Sequence, residues 1–185
     1  MSCAYLRPVK RIDLLCDALI ILGNMKPDWN ITWNHFGGGD SGETDFITKK
    51  IKKLPSNVKA NLWGNVSNSV IIEFYKKTSV DFLISVSSSE GIPVSMMEAL
   101  SFGIPIIATD VGGARELVTN ENGLLLQKNI TVDEIAKSIN EFISHKDHVS
   151  KRNAARKTWF EKFNSDKNFS AFCSRLLEIL DRKYA

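Results

Sequence analysis

Cysteine is scarce in this 185-residue chain: Cys3, Cys16 and Cys173 are widely spread and form no Cys-x-x-Cys pair. Odd in number and isolated, they argue against both a disulfide framework and a zinc site, and they suit a reducing cytosol. The three histidines, His35, His145 and His148, have no metal-ligand spacing, and no Asp-x-Asp pair stands ready to hold a metal against a diphosphate. No stretch reaches the roughly 18 apolar residues of a membrane span, and residues 1–10 lack the apolar run of a signal peptide. Charge is nearly balanced, with 24 Lys and Arg against 21 Asp and Glu. A net +3 is too little for nucleic acid, which calls for a clustered basic face. Low-complexity tracts and internal repeats are also missing.

What is present is a foldable globular composition, 43% hydrophobic and 24% charged. Short apolar runs alternate with amphipathic segments, the pattern of β-α units around a parallel sheet. Strands are expected at 3–6, 31–36, 58–62, 82–86, 104–108 and 123–126. Helices are expected at 12–25, 45–53, 69–77, 94–102, 114–117 and 132–144. Thr131 and Glu134 form a capping-box pattern ahead of the last of these. The predicted architecture is a doubly wound parallel sheet of about six strands, residues 1–145, followed by helices at 148–163 and 169–183 within residues 146–185. Basic residues crowd that final part: Lys146, Lys151, Arg152, Arg156, Lys157, Lys162 and Lys167. They read either as a solvated helical face or as a surface drawn to an anionic membrane.

The most informative stretch, residues 85–118, runs strand, loop, helix, strand, Gly-rich loop, helix. Ser87 to Gly91 follow a strand at its carboxyl end, where ligands bind in open α/β sheets. Pro93 has its φ preset for the first turn of a helix, and the free amides near Val94 and Ser95 make an anion site suited to a diphosphate. Glu90 falls in the loop and Glu98 on the helix, on a face away from Met96, Ala99 and Leu100. Gly37, Gly39 and Gly42 fit Gly-x-Gly-x-x-Gly after a strand, but no acidic residue follows at the ribose-binding distance. These glycines are therefore expected in a flexible loop near the ligand.

Glu90, Gly91, Pro93, Glu98, Ala99, Gly103, Pro105, Gly112, Gly113 and Glu116 together resemble the signature of the retaining glycosyltransferases of family 4, the group 1 glycosyl transferases. The resemblance implies a Rossmann-like domain forming one half of a GT-B fold, the half that binds the nucleotide-sugar donor, UDP- or GDP-linked. It implies Glu90 against the transferred sugar, Glu98 on the ribose hydroxyls, and Gly91, Ile92, Pro93, Val94 and Ser95 on the donor through their backbone. Lys10 matches the family's diphosphate-binding lysine. The family arginine five positions earlier is Tyr5 here, and Arg7 is the nearby substitute. Gly39 is placed near the donor sugar or diphosphate. Gly64, Asn65 and Val66 follow the third strand like the family's base-reading loop, or form a turn without a chemical role.

The implied reaction is transfer of a sugar to a glycan or lipid-linked acceptor, without a metal or other cofactor. The acceptor would be held by an N-terminal domain of the same longer chain. A cytoplasmic location is expected, with peripheral membrane contact in the full-length enzyme. A stand-alone donor-binding module and a sugar-nucleotide epimerase of similar architecture are the alternatives. The first strand begins almost at residue 1, so the chain is expected to be a piece of a longer one that binds donor without useful transfer.

Overall fold

The computed structural model of the chain describes residues 1–145 and 147–184. In chain order these form β1 (Ser2–Cys3), a 3-10 turn (Pro8–Lys10), α1 (Ile12–Met25), β2 (Ile31–Phe36), α2 (Ser41–Ile51), β3 (Val58–Leu62) and α3 (Asn68–Lys77). There follow β4 (Leu83–Ser85), α4 (Val94–Ser101), β5 (Ile106–Thr109), α5 (Ala114–Leu117), β6 (Gly123–Leu126) and α6 (Val132–Ser144). The chain closes with α7 (His148–Thr158), a π-helical turn (Trp159–Phe163) and α8 (Ser165–Tyr184).

The strands pair in parallel as two ladders, β1-β2-β3 and β4-β5-β6. The ladders meet between β1 and β4, where the Ile84 amide donates to the Met1 carbonyl at 2.8 Å. There the Met1 amino group also donates to the Phe82 carbonyl at 2.8 Å. The spatial order is therefore β3-β2-β1-β4-β5-β6, which places the topological switch point between β1 and β4.

Successive strand residues face opposite sides of a sheet, and two cores result. Trp33, Ile84, Ile107 and Leu126 pack with Leu15, Leu19, Ile47, Ile135 and Ile139, so α1, α2 and α6 cover one face. Phe36, Leu83, Ile106 and Ala108 pack with Tyr75, Met96, Leu100, Leu117 and Ala155, so α3, α4, α5 and α7 cover the other. Covering both faces explains why β5 is buried along its whole length and apolar from Ile106 to Ala108. Fully burying each such aliphatic side chain stabilises the fold by about 1.5–3 kcal/mol.

Element boundaries differ from the expected ones where loops leave the sheet. β1 stops at Cys3 instead of Leu6, because Ala4 and Leu6 donate to the carbonyls of Phe36 and Gly38 around a kink at Gly37, φ 129°. α2 starts at Ser41, not Asp45, since Asp40 accepts a hydrogen bond from the Glu43 amide at 2.8 Å and caps the helix. Gly42 consequently lies in a helix instead of a loop. α6 carries the expected capping box between Thr131 and Glu134. The helix expected at 148–163 changes to π-helical geometry after Thr158, and α8 begins four residues before the expected 169.

Much of the basic stretch has a structural task. Lys151 donates to the Asn120 carbonyl at 2.8 Å and Arg152 to the Val80 carbonyl at 2.7 Å, while Arg156 bonds the Ser101 carbonyl at the end of α4. The three contacts fasten α7 to the loops before β4 and after α5 and to the carboxyl end of α4, where Arg156 complements the negative end of that helix. Lys157, Lys162 and Lys167 remain exposed, and Lys146 lies outside the described residues. Among the described residues, no helix is long and apolar enough to cross a membrane.

Candidate functional site

The loops at the carboxyl ends of the strands converge on the switch point. Lys10 arrives on the 3-10 turn that follows β1, and Glu90 arrives on the loop that follows β4. Lys10 Nζ donates to Glu90 Oε2 at 2.6 Å, with side-chain exposures of 23% and 10%. The other carboxylate oxygen, Glu90 Oε1, accepts from Ser87 Oγ at 2.6 Å. Ser87 is itself buried, and its carbonyl accepts from Thr109 Oγ1 at 2.5 Å. Glu90 is thus oriented through both oxygens, one held by Lys10 and the other by Ser87, which Thr109 of β5 braces in turn.

Beyond Glu90 the loop opens. A Cβ at Gly91 would meet nothing within 4 Å, and Ile92 and Val94 are exposed. Pro93 precedes α4 and no side chain caps that helix, so its first amides face the open edge. The floor under this loop is Gly112 and Gly113. Gly112 has φ 53°, and a Cβ there would stand 1.9 Å from the Glu90 carbonyl oxygen; the Gly113 amide donates to the Gly91 carbonyl at 2.9 Å. Only backbone without side chains lets two loops approach so closely. Met96, Ala99 and Leu100 turn into the core, leaving Glu98 half-buried on the opposite side, where Oε1 accepts from Asn68 Nδ2 at 2.5 Å.

On the β2–β3 side the loops brace one another. The Gly37 amide donates to the Gly64 carbonyl at 2.9 Å, and the Gly38 amide to Asn65 Oδ1 at 2.8 Å. Trp63 stacks on Phe36 with ring centroids 5.1 Å apart, and its Nε1 donates to Asn34 Oδ1 at 3.1 Å. Gly39 lies under the β1 loop, where a Cβ would come 2.7 Å from Leu6 Cβ. Gly64 to Val66, Gly39, Lys10, Glu90 to Ser95 and Glu98 therefore share one sheet edge. The Arg7 guanidinium lies over the Tyr5 ring at 5.0 Å. It also lines a cavity of about 210 Å³ with Leu6, Pro8, Phe46 and Ile47, beside α2.

Three polar contributors carried little or no sequence signal. Ser87 was visible only as a loop residue, and its hold on Glu90 depends on the loop's curl. Asn68, at the start of α3, meets Glu98 only because α3 and α4 are neighbours. Arg11 hydrogen-bonds the Val86, Ser87 and Lys128 carbonyls, contacts that no residue spacing announces. Beneath the site, burial lowers His35 to about 4; its Nδ1 faces Ser2 Oγ at 2.8 Å, a hydroxyl that also accepts from Trp33 Nε1. Burial raises the thiols of Cys3 to about 11 and Cys16 to about 12, which keeps both protonated at neutral pH.

Residues 1–176 match the family model described as Glycosyl transferases group 1. The GtfA subunit of the UDP-N-acetylglucosamine--peptide N-acetylglucosaminyltransferase of Streptococcus agalactiae is 28% identical over 188 residues, which cover 96% of this chain and 35% of that protein. The O-antigen biosynthesis glycosyltransferase WbnH of Escherichia coli is 34% identical over 126 residues, 68% of this chain and 32% of that protein. In fold, the chain resembles Anabaena Alr3699/HepE solved in complex with UDP, with a TM-score of 0.76 at 22% identity over 96% of this chain and 48% of that one. The chain thus spans 35% and 32% of the length of those two curated relatives. Its six-stranded α/β sheet fits one half of a GT-B fold, and the chain belongs to the group 1 glycosyl transferases.

Proposed function

We propose that this chain is the nucleotide-sugar-binding half of a retaining glycosyltransferase. The observation that carries this reading is the Lys10–Glu90 pair, which joins two loops 80 residues apart across the switch point of the sheet. The Lys10 ammonium and the open amides at the start of α4 are suited to a diphosphate. Glu98, one and a half turns into that helix, accepts the ribose hydroxyls, and Gly64 to Val66 frame the base. Glu90 then lies against the transferred sugar. Negative charge that develops on the departing diphosphate meets a preorganised cation and helix amides, so no metal is needed for it.

UDP is favoured as the carrier, since the Streptococcus relative is named for a UDP-linked donor and the Anabaena structure holds UDP. The WbnH relative is named for O-antigen biosynthesis, which supports a glycan or lipid-linked acceptor. An N-terminal domain would hold that acceptor and close over the donor. The exposed apolar face of α8, with Phe169, Phe172, Leu176 and Leu180, supports such a partner in the same chain. Lys157, Lys162 and Lys167 would contact an anionic membrane. Calorimetric titration with UDP, GDP and their sugar conjugates, with and without EDTA, tests the donor assignment. Glu98→Ala removes charge-assisted hydrogen bonds worth about 1.5–3 kcal/mol and should weaken UDP binding roughly 10- to 150-fold. Unchanged affinity in Glu98→Ala, or binding abolished by EDTA, would remove the corresponding part of the reading.

A further inference from the structure

Among the described residues, Arg11 is the one non-glycine with a left-handed backbone, φ 50° and ψ 39°. Residues with a long side chain rarely hold that conformation, and it persists only where the surroundings over-determine it. Here they do. Arg11 Nε donates to the Val86 carbonyl at 2.5 Å, Nη2 to the Ser87 carbonyl at 3.1 Å, and Nη1 to the Lys128 carbonyl at 3.1 Å. The planar guanidinium fork, with donors fixed relative to one another, suits this work in a way that an ammonium does not.

Val86 and Ser87 are the residues from which the Glu90 loop springs, and Ser87 Oγ holds Glu90 directly. Arg11 follows Lys10 in sequence, and its own amide closes the 3-10 turn on the Pro8 carbonyl at 3.1 Å. A backbone bond from the Ser88 amide to the Val9 carbonyl, 2.8 Å, ties the same turn to the same loop. The guanidinium therefore spans the short path between the two partners of the ion pair. Glycine would take the left-handed backbone without strain, so conformational preference alone does not account for an arginine here.

We propose that Arg11 is a positioning residue of the donor site: by gripping the Val86 and Ser87 carbonyls it sets the Glu90 loop against Lys10. The inference rests on the donor reading given above. Arg11 touches no donor atom in this scheme and acts through the loop that runs from Ser87 to Pro93 and carries the first amides of α4, and through the turn that carries Lys10.

Arg11→Gly separates positioning from folding, because it relieves the strained backbone while deleting the three carbonyl contacts. Thermal midpoints and calorimetric titrations with UDP and with uridine are measured on wild type, Arg11→Gly and Arg11→Asn. Asparagine tolerates the left-handed region and supplies a second variant if glycine loosens the fold. The expected result is a thermal midpoint near that of wild type, a Kd for UDP raised about tenfold, and a Kd for uridine changed by less than about twofold. UDP affinity equal to wild type in both variants would overturn the proposal. So would equal losses of UDP and uridine affinity with an early melt, which mark a residue that serves only the fold. Wild type that fails to bind UDP would remove the donor reading, and it shows before any variant is made.

Discussion

Replacing Glu90 with glutamine should tighten the binding of UDP, the reverse of what loss of a site residue ordinarily does. The ammonium of Lys10 is held 2.6 Å from Glu90 Oε2, and a diphosphate must compete for it. At about 4 Å between charge centres and an effective dielectric of 20, the gross attraction is about 4 kcal/mol. Desolvation and side-chain ordering cancel most of that at a site open to water on one side, leaving about 1 kcal/mol or less. Glutamine keeps the shape and can still accept from Ser87 Oγ, but it neither competes as a charge nor repels the incoming phosphates. Glu90→Gln should thus bind UDP about two- to fivefold more tightly, while Lys10→Ala should bind it roughly 10- to 150-fold more weakly. Isothermal titration with UDP at low and high salt is the assay, and the gain should shrink as salt screens the charges. Weaker UDP binding by Glu90→Gln would show that the carboxylate organises the site without competing for Lys10, and would refute this reasoning.

Three further outcomes are expected. Gly112→Ala forces a Cβ to 1.9 Å from the Glu90 carbonyl at φ 53°; the backbone conformation alone costs about 1–2 kcal/mol. Urea melts should show at least that loss, together with weaker UDP binding, and a neutral variant would mean that the two loops have slack. His35, lowered to about 4 from 6.5 by burial, refuses a proton that the unfolded chain accepts. Its contribution is complete above pH 6.5 and is lost as pH falls from 6.5 toward 4, by up to about 3 kcal/mol. His35→Asn should flatten that part of the stability profile in urea melts, and an unchanged slope would assign the acid sensitivity to other groups. Finally, with Gly91, Ile92 and Val94 open to solvent, this chain alone should release UDP from a donor slowly and glycosylate nothing, since positioning of two reactants supplies about 7–11 kcal/mol. Product formed at several turnovers per second would contradict it.

The alternation of apolar runs and amphipathic segments made the strand count and parallel class legible, because a strand covered on both faces must be apolar throughout, as Ile106 to Ala108 are. Boundaries were less legible where backbone bonds and not side-chain pattern decide them. Gly42 reads as a loop residue, yet one carboxylate from Asp40 is enough to start α2 before it. The motif residues Glu90, Gly91, Pro93, Glu98 and Gly112 were local enough to be found together. Their link to Lys10 came only through the family resemblance, since the contact itself depends on β1 lying beside β4, a pairing between residues about 80 positions apart. The placement of the Arg7 guanidinium over the Tyr5 ring is likewise a contact that its closeness to Lys10 in sequence does not reveal.

The seam between β1 and β4 has a consequence for the order in which the molecule assembles and opens. Within each ladder, neighbouring strands are joined by single helical crossovers, so their closure entropy is modest, whereas the seam joins the ladders only after both are positioned. The seam is also narrow, for β1 has two residues and β4 three. Each ladder can then behave as a cooperative unit of its own, with sub-global opening that parts the seam first. A ligand that bridges the Lys10 turn and the Glu90 loop binds only the closed form, so it would act as a clamp and withdraw the open form by mass action. Slowed hydrogen exchange at the Ile84 amide, whose bond to the Met1 carbonyl forms the seam, would be the signature of that clamp.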